Sequence, residues 1–432
     1  MAKVAMVGAG STVFAKNLIG DILSFEELHD STIALMDINP ERLALTEQVA
    51  RRMVADNGLP AAIQATADRR RALDGADYVI IMIEVGGVPA TNLDNDIPLK
   101  YGVKQCIADT LGPGGVFRFL RTWPQLLDIC RDVEDICPDA FVLNYTNPMA
   151  MNSWALSVAT RLRFVGLCHG VVGTAHQIAR IIGAPPDQLD YWAAGINHMT
   201  WFLQLRWRGE DAYPRFWKAI EDPEVFAKDR VRFELMRATG YFVTESSRHT
   251  SEYLPYFRKR EDLIEEFGVP TGAYQDYWPK GVARGQEAMR RLLAGDEKLV
   301  IRRSGEYASR ILHSLQTGTP RRITANVANR GLITNLPDGC CVEVPALVDR
   351  TGVHPCYVGD LPPACAALCR SNVNVQELAV KAALEVNREY AMQALMVDPL
   401  TAAVCSLSEI RALTDEMFES ERQWLPQFYP SA

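Results

Sequence analysis

The stretch that decides the fold is VAMVGAGS, residues 4–11. Its first four residues are apolar and indicate a buried strand, and the glycines after them indicate a tight turn. Apolar residues then recur at helical spacing, at Phe14, Leu18, Ile19, Ile22 and Leu23. The stretch therefore predicts a strand, a glycine turn and a helix, which is the opening of a βαβ unit.

Further apolar runs continue this alternation along the first half of the chain. Runs without polar residues are typical of strands that are buried on both faces of a parallel sheet. They occupy residues 33–36, 78–83, 141–143 and 164–167, and a helical pattern follows at 174–182. Because helical patterns separate the runs, we expect an α/β protein that begins with a Rossmann-type, doubly wound parallel sheet.

The pattern changes at Leu189, where longer and more polar segments begin. The second half contains predicted strands at 191–207 and 339–344 and predicted helices at about 373–395 and 407–420. This change predicts a second, mixed α+β domain. The expected division is 1–188 for the first domain and 189–432 for the second, and the two are expected to pack together because no flexible linker separates them.

Composition narrows the class of partner. The chain has 432 residues, 48% of them hydrophobic, and a formal net charge of -8. Net negative charge argues against a nucleic-acid or anionic-membrane partner and favours a small molecule. The ten cysteines form no CxxC pair, and neither a secretory leader nor a long apolar span is evident, so we expect a cytoplasmic protein with reduced thiols.

The glycine turn is the first candidate site. Gly8, Gly10 and Ser11 stand where backbone N–H groups can hold a pyrophosphate at a helix start. Val13 replaces the third glycine of the usual motif, but Asp37 ends the second predicted strand and can accept hydrogen bonds from a ribose. These features favour NAD over NADP. The alternative is an ordinary strand-to-helix turn.

Two other segments carry polar groups at positions suited to a site. Asn147, in the run NYTNP after a predicted strand, can bind a cofactor or sugar hydroxyl, or can simply close an Asx or proline turn. Asp109 precedes a glycine-rich stretch that can close over a site, so it can act as a proton donor. It can equally cap a turn.

Cys168 and His198 form the third constellation. Each follows a predicted strand, and a thiolate with an imidazole can supply two ligands to a divalent metal, leaving positions for substrate and water. The alternative is a buried thiol and a histidine satisfied within the core.

Taken together, these segments resemble the NAD-dependent glycoside hydrolases of family 4. The matching strings follow one another along most of the chain. They are GAGS (8–11), Asp37, ADTLGPGG (108–115), NYTNP (144–148), CHG (168–170), GINHM (195–199), SEYLPYF (251–257) and NRGLITNLPDG (329–339).

The resemblance implies a first domain similar to lactate and malate dehydrogenases, a bound NAD, and a divalent metal, typically manganese. It implies Cys168 and His198 as the metal ligands, Asp109 as the acid, and Asn147 as a substrate contact. The implied reaction is transient oxidation at sugar C3, loss of the C2 proton, elimination of the C1 oxygen, addition of water and return of the hydride. The net result is hydrolysis.

The base that removes the C2 proton is less clearly marked. The resemblance implies a side chain from the second domain, and Tyr253, Glu245 and Tyr241 all fall in the relevant stretch. Tyr253 is preferred. A dimer or tetramer is also implied.

The residues after the cysteine bear on the sugar. His169 resembles family branches with unphosphorylated substrates and is expected to contact the substrate. Gly170 resembles the α-galacturonidase branch, since a missing side chain leaves room for a C6 carboxylate that Arg248 or His249 can pair with. Other strings resemble α-galactosidases. We therefore expect an α-galacturonide, with an α-galactoside or α-glucoside as the alternative.

Two rivals from other classes remain. A 2-hydroxy-acid dehydrogenase would share the glycine turn and Asp37 but would need a histidine–carboxylate pair and an arginine for the substrate acid, and no cysteine at a metal. A binding or sensor protein would keep the fold without its catalysis.

Overall fold

The computed structural model describes residues 2–11 and 14–429. Val13, which stands at the third glycine position of the turn, lies outside these residues. The strands are β1 (Lys3–Val7), β2 (Thr32–Met36), β3 (Ala62–Thr66), β4 (Tyr78–Ile81), β5 (Phe141–Asn144), β6 (Arg163–Gly166), β7 (Leu189–Ile196), β8 (Met199–Trp207), β9 (Glu210–Asp211), β10 (Arg321–Ala328), β11 (Cys341–Asp349) and β12 (Gly352–Pro355).

The α-helices are α1 (Ala15–Ile22), α2 (Pro40–Asp56), α3 (Arg69–Leu73), α4 (Gly87–Lys100), α5 (Gly112–Ile136), α6 (Met149–Ala159), α7 (Gly170–Ile182), α8 (Tyr213–Ala219), α9 (Pro223–Phe226), α10 (Arg230–Thr239), α11 (Ser247–Glu252), α12 (Glu261–Phe267), α13 (Ala273–Ala294), α14 (Ala308–Thr317), α15 (Pro363–Leu384), α16 (Arg388–Val397), α17 (Pro399–Val404) and α18 (Leu407–Ser420). Short 3-10 helices cover Glu26–Leu28, Pro186–Gln188, Arg422–Trp424 and Pro426–Phe428.

The first half forms the parallel sheet that the apolar runs predicted. Its strand order is β3-β2-β1-β4-β5-β6, with every neighbouring pair parallel. Along β1, Val4 and Met6 pack into one core, while Ala5 and Val7 pack into another on the opposite face. Because both faces are covered, residues 4–7 of β1 are all apolar. The predicted α/β class is confirmed.

The second half extends the same sheet with antiparallel strands. From β6 the order continues β10-β11-β7-β8-β9, and β12 pairs with β11. The junction of β6 with β10 is narrow, with Asn326 opposite Gly166, and β11 likewise pairs with β7 only at Glu343 and Gly195. The sheet therefore crosses the expected boundary between 188 and 189, and the division into domains 1–188 and 189–432 stays a prediction.

Two elements differ from their predicted extents. The strand predicted at 191–207 is a hairpin of β7 and β8, because the chain reverses at Asn197 and His198, where His198 has a φ of 63°. The helix predicted at 373–395 is divided between α15 and α16. Val386, with a φ of 51°, breaks the helix, and the Asn387 side chain caps α16.

A long excursion of the second half packs against the first. The Arg52 guanidinium on α2 donates to the Leu292 carbonyl at 2.6 Å and to the Glu297 carbonyl at 2.8 Å. The Leu299 N–H donates to Asp56 at 2.8 Å. These contacts bring α13 across the carboxyl edge of the parallel sheet. Within the described residues, no helix combines the length and apolarity needed to cross a bilayer.

Candidate active site

A cleft of about 590 Å³ lies at the carboxyl edge of the parallel sheet. Gly8, Gly10, Ser11 and Asp37 all line it, as the turn after β1 and the end of β2 require. This edge is the usual ligand crevice of doubly wound sheets. All four residues that the sequence assigned to a dinucleotide are therefore in one place.

Close backbone approach explains both glycines. Gly8 has a φ of +88°, and a Cβ on it would stand 2.5 Å from the Met82 carbonyl oxygen. A Cβ on Gly10 would stand 2.7 Å from Asp37 Oδ2, and instead the Gly10 N–H donates to that oxygen at 2.7 Å. The turn is thus packed against Met82 and Asp37, with no room for a side chain at either glycine.

The opposite wall of this cleft was not evident from the sequence. It is formed by Tyr274, Trp278 and Val282 of α13. The Tyr274 and Trp278 rings stack with centroids 5.5 Å apart and an interplanar angle of 11°. Their spacing of four residues places both on one face of a helix, which was the available signal.

Asp109 and Asn147 line the same cleft. Asp109 is 7% exposed, accepts a hydrogen bond from the Thr110 hydroxyl at 2.8 Å, and lies 3.6 Å from His249 Nε2. Burial opposes its charge, but His249 and the Arg118 guanidinium outweigh burial and hold the pKa of Asp109 well below its usual value. Asp109 is therefore ionised in the ligand-free protein.

His249 carries the proton of this pair. Burial lowers its pKa, but Asp109 and the Glu245 carboxylate, 3.4 Å from His249 Nδ1, raise the pKa to about 9. A histidinium between two carboxylates thus stands at the end of the cleft. Asp109 can serve as an acid only after it receives a proton, and His249 is its neighbouring source.

His198 lies on the hairpin turn between β7 and β8 and packs edge-on against His249, with ring centroids 5.0 Å apart. Burial, with the charge of His249, lowers its pKa to about 4, so the ring is neutral. Its Nδ1 contacts the Tyr253 hydroxyl at 3.0 Å and the Thr110 hydroxyl at 3.3 Å. This arrangement leaves Nε2 available to a ligand.

Cys168 follows β6 at the start of α7, and its sulfur accepts a weak hydrogen bond from the Gly170 N–H at 3.4 Å. Burial, reinforced by the charges of Glu343 and Glu245, raises the pKa of the thiol well above its ordinary value. Such a field favours a cation beside the sulfur. Asn197, next to His198, is 1% exposed and lies beside this thiol, where its side chain partly offsets the rise in the pKa of Cys168.

The two expected metal ligands thus come from segments that meet. Across the described part of the chain, no three His, Cys, Asp or Glu side chains are arranged to hold a metal ion. A metal at Cys168 and His198 would therefore have two protein ligands, and its other positions would be left for substrate and water.

The three candidate bases lie in different surroundings. Tyr253 is fully buried behind His198, and desolvation raises the pKa of its hydroxyl well above 10. The Tyr241 ring packs against Tyr213 at the edge of the core. Glu245 faces a cavity, and the charge of His249 outweighs its burial and lowers its pKa. Glu245 therefore presents an ionised carboxylate to a cavity.

The Glu245 side chain occupies the space beside Gly170. A Cβ on Gly170 would meet Glu245 Oε1 at 3.3 Å and the Cys168 sulfur at 3.4 Å. His169, whose side chain is half exposed, lies 3.2 Å from Glu306 through Nδ1, and this carboxylate raises the pKa of the imidazole. The room expected for a substrate carboxylate is therefore adjacent to an acidic side chain.

Arg248 and His249 border a second cavity, of about 710 Å³. The Arg248 guanidinium lies 5.7 Å from the Tyr277 ring. His249 is already engaged by Asp109 and Glu245. Both residues are therefore near the candidate site, but they border this second cavity and not the dinucleotide cleft.

Several residues of the site carried no sequence signal. Arg118, which is 7% exposed, faces the dinucleotide cleft near Asp109. Glu343 is buried and accepts hydrogen bonds from Thr200 at 2.6 Å and Asn326 at 2.9 Å. Burial raises the pKa of Glu343 to about 7. Each lies far along the chain from the motif it joins, so spacing did not reveal it.

Two family models match nearly the whole chain. The family 4 glycosyl hydrolase model matches residues 3–184, and the model of the family 4 glycosyl hydrolase C-terminal domain matches residues 193–401.

Named relatives and a solved structure agree with these models. The chain is 42% identical over 432 residues to an alpha-galactosidase of Bacillus subtilis, covering 99% of this chain and 100% of the relative. It is 30% identical over 452 residues to an alpha-galacturonidase of Thermoanaerobacterium saccharolyticum, covering 98% and 96%. A crystal structure of a 6-phospho-alpha-glucosidase from gut microorganisms, in complex with NAD and Mn2+, has the same fold, with a TM-score of 0.84, 21% identity, and 98% and 99% coverage.

Proposed function

Since this chain belongs to glycosyl hydrolase family 4, we propose that it hydrolyses an unphosphorylated α-galactoside with the help of NAD and a divalent metal such as manganese. One observation carries the proposal. The cleft lined by the dinucleotide residues also contains Asp109 and Asn147, and it ends at His249, which packs against His198. A sugar at that end would lie between the two cofactors.

The side chains present fit both groups. Gly8, Gly10, Ser11 and Asp37 line one cleft that can receive a dinucleotide, and negative charge around Cys168 suits a cation. The related fold that binds NAD and Mn2+ gives further support. When bound, the metal would supply Lewis-acid polarisation at sugar oxygens, and NAD would supply a reversible hydride acceptor.

The protein's own groups would handle the protons. Glu245, ionised and accessible, is our candidate for the base at sugar C2, with Tyr253 and Tyr241 as the other candidates. The proton on His249 would be delivered through Asp109 as the glycosidic oxygen departs, because that oxygen becomes basic as its bond breaks. Asn147 and His169 are proposed to bind sugar hydroxyls. Tyr253 is proposed to orient the His198 ring through its 3.0 Å contact with Nδ1.

The choice of sugar rests on charge. Gly170 alone favours an α-galacturonide, but the adjacent Glu245 would repel a C6 carboxylate, and His249 is already paired. A neutral galactose ring avoids this repulsion. The greater identity to an alpha-galactosidase than to an alpha-galacturonidase agrees with that choice. The α-galacturonide and the α-glucoside remain the alternatives.

An assay decides among them. Purified protein with Mn2+, NAD+ and a thiol should cleave nitrophenyl α-galactoside with a kcat/KM at least about tenfold above that for the α-galacturonide, a difference of roughly 1.4 kcal/mol. A preference for the α-galacturonide would reverse the assignment. A 2-hydroxy-acid dehydrogenase would instead accumulate NADH during turnover.

Location and assembly are part of the same proposal. The ten cysteines are all free, and a metal-binding thiol needs reducing conditions, which supports a cytoplasmic enzyme. A homodimer or homotetramer is proposed by analogy with the family. Light scattering on the purified protein would measure its mass in solution, and the mass of a monomer would contradict the proposed assembly.

A further inference from the structure

The loop before the candidate acid is held by a buried carboxylate. Glu252, the last residue of α11, is fully buried. Its Oε2 accepts hydrogen bonds from the N–H groups of Cys106 at 2.8 Å and Ile107 at 3.0 Å, and its Oε1 accepts one from the N–H of Ala108 at 3.1 Å. These are the three residues directly before Asp109. One carboxylate therefore fixes the backbone that leads to the candidate acid.

The loop adopts a backbone conformation that needs such support. Ala108 has a φ of 62°, in the left-handed region that is unfavourable for a residue with a Cβ. The start of α5 packs against the loop from another side, since a Cβ on Gly114 would stand 2.6 Å from the Ala108 carbonyl oxygen. The loop is thus held between α5 and Glu252.

The helix that ends at Glu252 also carries the proton source. His249 precedes Glu252 by three residues in α11, and His249 Nε2 lies 3.6 Å from Asp109 Oδ1. The helix therefore contacts the acid twice, at its side chain through His249 and at its loop backbone through Glu252. Glu252 lines neither the dinucleotide cleft nor the second cavity, so it can act only through its neighbours.

We propose that Glu252 is a positioning residue for the acid, which keeps the Asp109 carboxylate beside His249 where the departing glycosidic oxygen receives its proton. The inference rests on the proposed glycosidase function and adds a residue to it. A misplaced acid slows only the step that needs the proton, so substitution of Glu252 should affect mainly substrates with a poor leaving group. A residue that only stabilised the fold would lower activity on every substrate alike.

Two α-galactosides with different leaving groups test this role in the enzyme loaded with Mn2+ and NAD+. Methoxide is a poor leaving group and needs a proton, whereas nitrophenolate departs without one. Glu252→Asp keeps the charge but is one methylene shorter, so it cannot reach all three N–H groups. It should lose at least about tenfold more kcat/KM on methyl α-galactoside than on nitrophenyl α-galactoside. Equal losses on the two substrates would overturn the proposal.

Glu252→Gln and a matched control complete the kinetic test. The glutamine keeps the length, but its amide nitrogen accepts no hydrogen bond, so at least one N–H loses its partner and the same preference should appear. Asp21→Asn is the control, because Asp21 is also buried and accepts the Ser304 N–H at 2.6 Å but lines neither cavity. It should change both substrates equally.

A double-mutant cycle shows whether the effect passes through the acid. In an Asp109→Asn background, Glu252→Asp should cause no further loss that is specific to methyl α-galactoside, because the carboxylate that it positions is already absent. A loss specific to the methyl glycoside that persisted in this background would contradict a role through Asp109.

Hydrogen exchange followed by mass spectrometry gives a measurement that does not depend on activity. The amides of residues 106–108 should exchange at least about tenfold faster in Glu252→Gln than in the unaltered protein, and at the unaltered rate in Asp21→Asn. Unchanged exchange in Glu252→Gln would overturn the proposal. If the unaltered enzyme cleaved no galactoside, the proposed function would fail, while the exchange rates would still decide whether Glu252 holds the loop.

Discussion

At the scale of single residues, the Cys168 sulfur is set apart from the other thiols by its neighbours. Glu343 and Glu245 surround it with negative charge, whereas most of the other cysteines lie in apolar cores. Cys168→Ser should lower activity by about a hundredfold or more and weaken Mn2+ binding, because a hydroxyl is a poor substitute for a thiolate. Cys356→Ser, at a half-buried thiol away from the site, is the control. Retained Mn2+ affinity in Cys168→Ser would contradict the assignment.

Substitutions of Tyr253 and Glu245 should have different effects, which identify the base. If Tyr253 orients His198, then Tyr253→Phe should weaken Mn2+ binding by about tenfold while keeping kcat within a few-fold at saturating metal. Glu245→Gln should instead reduce kcat by about a hundredfold or more, as expected when a general base is lost. Steady-state kinetics over a Mn2+ titration would separate the two effects. A collapse of kcat in Tyr253→Phe at saturating metal would make Tyr253 the base.

At the scale of elements, the β1–α1 turn has no room for a side chain at Gly8. Gly8→Ala should destabilise the fold by about 2 kcal/mol and abolish NAD binding, because the Cβ would meet the Met82 carbonyl at a positive φ. Gly173→Ala on α7 should instead stabilise the fold, since a Cβ there meets nothing within 4 Å and alanine favours a helix by about 1 kcal/mol. Thermal unfolding and NAD titration measure both. Unimpaired NAD binding in Gly8→Ala would show that this turn is not part of the NAD site.

The start of α17 provides a pH-dependent contribution to stability. Asp398 accepts hydrogen bonds from the Thr401 N–H at 2.8 Å and hydroxyl at 2.7 Å, yet burial raises its pKa to about 6. A carboxyl with a raised pKa favours the folded state at low pH, and this contribution is lost as pH rises from about 4 through 6.

Asp398→Asn keeps the cap without the charge. Its stability relative to the unaltered protein should therefore increase by about 2 kcal/mol between about pH 4 and about pH 7, from a pKa difference of about two units. Denaturant unfolding at both pH values measures this difference. A constant difference across the range would show that Asp398 is not titrating.

At the scale of the whole molecule, the second half closes the cofactor site of the first. Arg52 ties the end of α13 to α2, and α13 carries the aromatic wall of the cleft. Arg52→Ala should raise the Kd for NAD by about tenfold, because α13 would then be ordered only on binding. Arg51→Ala, which removes only a surface pair with Glu47, is the matched control. Equal NAD affinity in the two variants would show that α13 needs no such tie.

Much of this protein is determined locally, and the sequence alone reveals that part. Apolar runs separated by helical patterns predicted the parallel sheet, because strands buried on both faces exclude polar residues. Strand ends and turns predicted that Gly8, Gly10, Asp37 and Asn147 lie near one another, and these residues line one cleft, since the carboxyl ends of parallel strands meet at one edge of the sheet. These features depend on residues that are close together in the sequence.

Only the tertiary structure decided the contacts among distant segments. It buried Tyr253 behind His198, put Glu245 in the gap at Gly170, and brought Tyr274 across the dinucleotide cleft. It also divided the segment at 191–207 into a hairpin, which puts His198 on a turn. Packing, burial and charge between residues far apart in the chain govern these outcomes, and a periodic pattern contains no information about them.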